Sequence, residues 1–172
     1  MNFFLKMTKK QKTKKAPTNL KKSLSRLMAI QIFYQNDFLP NEQNLNKIKE
    51  NLIDNYALDS EEEPTSYRQK IDEVFLNNLV NGAALDLKQI DEEILQFLKG
   101  DQALEKLDGV ALQILRFGVF ELKFLPETPA KVIIGEYVDI SASFFDNKKI
   151  SFFNATLQNL AQKFRANEFL KN

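Results

Sequence analysis

Leu107–Phe124, LDGVALQILRFGVFELKF, decides the architecture. Leu107, Val110, Ala111, Ile114, Leu115, Gly118 and Leu122 trace one apolar stripe at helical spacing, and Phe117, Phe120 and Phe124 trace a second. An amphipathic surface helix shows one such stripe; two predict a central helix packed on both sides. Glu121 falls within the first stripe, where a charge is costly unless paired, so a structural ion pair is expected there.

Other helices flank it. Upstream, LSRLMAIQIFYQNDF (24–38) is apolar almost all round, with Gln31 and Gln35 as its polar strip, and reads as buried. A more polar helix follows over about 42–56. DSEEEP then makes an acidic loop that Pro64 closes. Ile71, Val74, Phe75 and Leu79 predict a helix over 66–81, with Gly82 at a left-handed C-terminal cap. A further helix over about 84–99 ends at Gly100. Downstream, Thr128 is the expected cap and Pro129 the first turn of a helix carrying Ile133, Tyr137, Ile140 and Phe144. Phe153, Leu157, Leu160 and Phe164 mark the last helix, over about 151–169. No segment alternates with period two and no long repeat is present. The prediction is an all-α bundle of about seven helices, with 172 residues enough for one well-buried domain or two small subdomains sharing a core.

Charge is divided unevenly. Lys6, Lys9, Lys10, Lys12, Lys14, Lys15, Lys21, Lys22 and Arg26 supply nine of the 24 basic residues, and no acid precedes Asp37. The remainder holds 15 basic against 23 acidic residues, a balance of −8 inside a formal net charge of +1. Residues 1–19 lack the apolar content to fold alone and read as a disordered basic arm, with 20–172 as the folded domain. Lysines spaced along such an arm suit phosphate neutralisation, although a solvating tail or attraction to a membrane surface uses the same composition.

With no Cys and no His, disulfides, thiolate nucleophiles, Ser-His pairs and the usual zinc ligands are excluded. No glycine loop of the GxGxxG or GxxxxGK kind occurs, no carboxylates converge as an acid and base pair, and neither metal nor cofactor is expected. MNFFLK is too short for a signal peptide, no run approaches the ~18 apolar residues of a membrane span, and Met7 is a second candidate start. A soluble, cytoplasmic protein is expected.

Phe152 stands out. On a helix it falls with Thr156, Asn159 and Lys163, away from the Phe153 stripe. A base stacked on such a ring gains on the order of 1–3 kcal/mol, and the alternative is packing beneath the DNKK turn that precedes it.

Four segments in register carry a resemblance: RLMAIQIFYQ (26–35), ILRFGVFEL (114–122), TPAKVIIGEYVDIS (128–141) and FFNATL (152–157). Over about residues 20–165 the chain resembles the family of transcription antitermination factor NusB. The resemblance implies two packed helical subdomains around a long central helix. It also implies an adaptor that joins a small-subunit ribosomal protein, NusE, on the boxA segment of nascent ribosomal RNA. That pair helps to load RNA polymerase with an antitermination complex, and no bond is made or broken.

By position, the family's basic segment matches Lys21, Lys22 and Arg26, and its RNA-contacting aromatic falls on Phe152. A family lysine with a possible phosphate contact matches Lys131, and an aromatic near the ribosomal-protein surface matches Tyr34. The chain departs from the pattern in a Lys-rich start where Arg is usual, Gly135 for Asn, and Ala155 for Gly. Two other readings compete. One is a helical interaction module whose acidic body binds a basic protein; the other is a relative of the NusB-like domain of rRNA cytosine methyltransferases.

Overall fold

A computed structural model describes residues 17–39, 44–59, 61, 64–98 and 104–170. Residues 1–16, most of the expected arm, lie outside it. Every regular element among the described residues is helical: α1 (Pro17–Phe38), α2 (Leu45–Asp59), α3 (Pro64–Arg68), α4 (Glu73–Leu85), α5 (Leu87–Leu95), a 3-10 turn (Leu104–Lys106), α6 (Gly109–Phe124), α7 (Ala130–Ser141), α8 (Asn147–Phe164) and α9 (Ala166–Phe169). Seven of these have nine residues or more, in line with the periodicity; α3 and α9 are shorter. The chain divides after Val80 into two compact units.

In the first unit α1 buries every residue from Leu27 to Phe33. One of these is Gln31, whose amide oxygen accepts the Tyr56 hydroxyl of α2, while Tyr56 stacks on Tyr67 at 5.4 Å. Burial first, and the neighbouring Tyr67 second, push the Tyr56 phenol well above its ordinary pKa. Ser25 Oγ, under α1, binds both backbone groups of Asp72, at 3.0 Å to the carbonyl and 2.9 Å from the amide.

That anchor explains a departure from the expected single helix over 66–81. The chain leaves α3 after Arg68 and restarts as α4, with the Asp72 carboxylate accepting the Phe75 amide at 3.0 Å. Gly82 is a second correction. It lies inside α4 and is not a cap; a Cβ there would stand 2.2 Å from Phe120 Cζ, so the glycine serves a close approach.

The second unit is built on α6, buried without interruption from Gln113 to Leu122 as two stripes require. Asp108 caps it, accepting the Val110 and Ala111 amides at 2.9 and 3.3 Å. Gly118 admits Leu157 of α8, whose Cδ2 would lie 2.6 Å from a Cβ. Glu121, fully buried, accepts a 2.6 Å hydrogen bond from the Tyr137 hydroxyl of α7. Arg116 forks onto both carboxylate oxygens of Asp91 in α5 at 2.8 Å each.

The cap of α7 sits one residue later than expected, at Pro129, and two downstream residues complete it. Glu168 Oε2 accepts the Ala130 amide at 2.7 Å, and Arg165 donates to the Thr128 carbonyl at 2.9 Å. Arg165 also donates to the carbonyls of Glu121, Leu122 and Leu125 at 3.0, 2.7 and 2.7 Å, at and just past the end of α6, where helix carbonyls lack intrahelical partners; that of Glu121 also accepts the Leu125 amide at 3.1 Å. The last long helix starts at Asn147, four residues before the expected Ser151, because Asp146 accepts the Lys149 amide at 2.9 Å; it stops at Phe164.

Candidate nucleic-acid interface

In the first unit the basic start of α1 converges on one ring. Lys22 and Arg26, four apart and therefore on one face, hold their cations 5.1 and 4.9 Å from the Phe75 centroid. Lys22 is half-buried. Arg26 is only 2% exposed, so it braces the ring from inside and presents no open guanidinium. Lys21, 100° further round an ideal helix, is exposed. At the other end of α1 Tyr34 is half-buried and packs against Phe38 at 4.9 Å, with Phe38 68% exposed. The (i, i+4) aromatic spacing of Tyr34 and Phe38 is the sequence signal for this pair.

In the second unit Phe152 is half-buried and meets the buried Phe153 ring edge-on, with centroids 5.6 Å apart. Its helix face is less open than expected, because Thr156 is buried. One turn N-terminal on that face stand Lys148 and Lys149, at i−4 and i−3 from Phe152, both exposed and neither in a salt bridge with a described residue. The Lys149 ammonium lies 4.5 Å from the Phe145 centroid, and Phe145 packs on Phe153 at 5.4 Å. The sequence predicts DNKK as a turn; α8 instead begins at Asn147, which brings these lysines onto the face of Phe152.

Lys131 is exposed in the first turn of α7, on a groove of about 450 Å³ that it lines with Gly135, Asn154 and Gln158, among others. Asn154 lies about 200° round α8 from Phe152. Within this unit the structure therefore keeps Lys131 and Phe152 on different sides of α8. Ala155, the other departure from the family pattern, is exposed. Lys163 is held by Glu93 of α5 and by Gln96 just past its end. Glu93, which also receives Lys123 at 2.8 Å, is thereby kept below the usual carboxylate range, the Lys123 hydrogen bond contributing most.

Among the described residues no three carboxylates are grouped to hold a metal ion, and no helix is long and apolar enough to cross a membrane. Fold and surface define a protein that is helical throughout its described residues, with lysine and arginine cations set beside aromatic rings. The chain belongs to the NusB family, whose profile matches residues 23–162. It is 32% identical over 145 residues to the transcription antitermination protein NusB of Rickettsia akari, covering 83% of this chain and 92% of that protein. Its fold is that of T. maritima NusB, at a TM-score of 0.66 and 22% identity over 86% of this chain and 95% of that one. A chain in a crystal structure of antitermination factors NusB and NusE in complex with double-stranded RNA is similar too, with a TM-score of 0.63, 21% identity, and coverage of 83% and 96%.

Proposed function

We propose that this chain is a transcription antitermination factor that binds boxA-type RNA together with the small-subunit ribosomal protein NusE, in the cytoplasm, where ribosomal RNA is made. It acts as an adaptor for RNA polymerase and not as an enzyme. Family membership supports this reading, as does a NusB relative crystallised with NusE and RNA. The observation that carries it is Phe152, a half-open ring on a helix face that also bears two exposed lysines, neither in a salt bridge with a described residue.

In this reading Phe152 stacks a base, Lys21 and Lys22 neutralise phosphates, and Arg26 fixes Lys22 through the ring they share. Lys131 offers a phosphate contact on a different side of α8, and Tyr34 with Phe38 meets the ribosomal protein. The decisive experiment is a titration against boxA-like and scrambled RNA, with and without NusE. The wild type prefers boxA-like RNA and does so more strongly with NusE. Phe152→Ala weakens boxA binding by roughly 5- to 150-fold, the range for losing one stacked base, while the fold is retained. Equal affinity for both RNAs would leave an interaction module, and methyl transfer by the chain alone would make it an enzyme.

A further inference from the structure

Phe152 is one end of a longer row. Beyond it come Phe153, buried, and then Phe145, half-buried, with centroid separations of 5.6 and 5.4 Å between successive rings. The two outer rings reach the surface on either side of a buried one. Lys149 lies over Phe145, and Lys148 and Lys149 share the face of Phe152, so the surface between the rings is cationic. The one carboxylate in the preceding turn, Asp146, is turned to the Lys149 amide as the cap of α8.

We propose that this aromatic and lysine face binds two bases of a single RNA strand, one on Phe152 and a second on Phe145, with Lys148 and Lys149 on the phosphates between them. The proposal rests on the RNA-binding reading above and extends it to a second ring, Phe145, and to a phosphate-binding role for Lys148 and Lys149. Single-stranded RNA fits for two reasons. Unstacked bases gain from any exposed ring whatever their sequence, and a strand that stacks at two places brings its phosphates past the cations between. The Lys149 ammonium need not leave Phe145, since a cation over one part of a ring still reaches a phosphate beside it.

The test is a cycle between protein and RNA variants. Binding of boxA-like RNA carrying one abasic nucleotide at each position in turn is measured for the full chain, Phe152→Leu and Phe145→Leu; leucine keeps an apolar contact with Phe153. For the wild type, two positions should cost about 5-fold or more. One of them should cease to matter in Phe152→Leu and the other in Phe145→Leu. Phe145→Tyr, which keeps the ring, should behave as wild type and guards against loss through misfolding. Replacing Lys148 and Lys149 by Gln should lower the slope of log K against log salt by about 1.4, two single-strand phosphate contacts. If no abasic position couples to Phe145 while one couples to Phe152, the second base is refuted and the first stands. If the wild type does not prefer boxA-like RNA at all, the functional reading itself fails.

Discussion

At Gly82 an added methyl would collide with Phe120, while at Gly135 it would meet nothing within 4 Å. Both glycines lie inside helices, where glycine costs about 1 kcal/mol relative to alanine through the freedom its backbone loses. At Gly82 close packing returns that cost; at Gly135 nothing does. Gly82→Ala should therefore lose about 1–3 kcal/mol by overpacking, and Gly135→Ala should gain about 0.5–1 kcal/mol. Urea unfolding of the two variants measures both. A loss at Gly135 would mean that the groove beside it is filled in solution. Arg26 shows how the environment of a residue changes its part: a charge that reads as surface from the sequence is enclosed against Phe75.

Between elements, Arg165 joins the end of α6 to the start of α7, giving backbone carbonyls a partner that neither helix contains. Arg165→Ala should cost roughly 2–4 kcal/mol, because several part-buried acceptors lose a charged donor together. Arg165→Lys should recover little of it, since one ammonium cannot span acceptors that a planar fork reaches. Thermal unfolding distinguishes the two outcomes. The junction of α5, α6 and α8 at Glu93 makes a separate prediction. Its carboxyl is depressed below the ordinary 4.5, so its contribution is complete above about pH 4.5 and is lost as pH falls through the lower folded value. Glu93→Gln should be less stable than wild type at pH 7 and should decline less steeply on acidification, as followed by urea midpoints from pH 7 to 3.

Those same junctions show what the sequence could not reveal. Helix existence was legible, because stripes such as that of α6 repeat within a dozen residues. Boundaries failed where a remote group sets them: Ser25 at the start of α4, and Arg165 and Glu168 at the start of α7. At the candidate interface Phe152 was legible by its misfit to the Phe153 stripe. Lys148 and Lys149 were not, because their alignment with it depends on α8 beginning at Asn147.

Over the whole molecule the division of charge matters more than its sum. Residues 1–16 hold six lysines and no acid, and the chain after Arg26 balances to −8. If the arm takes up phosphates, removing residues 1–16, which precede α1, should lower the salt slope of RNA binding by up to about 4, six single-strand contacts at most. Thermal stability should be unchanged. An unaltered slope would make the arm a bystander.

The Arg165 junction also places an order on synthesis. Its carbonyl partner at Leu122 lies 43 residues earlier in the chain. At the usual pace of translation, about 5–20 residues per second, the end of α6 emerges roughly 2–9 s before the side chain that satisfies it. During that interval a nascent chain carries a largely apolar helix whose end still lacks the Arg165 donor, a stretch on which a ribosome-associated chaperone can act.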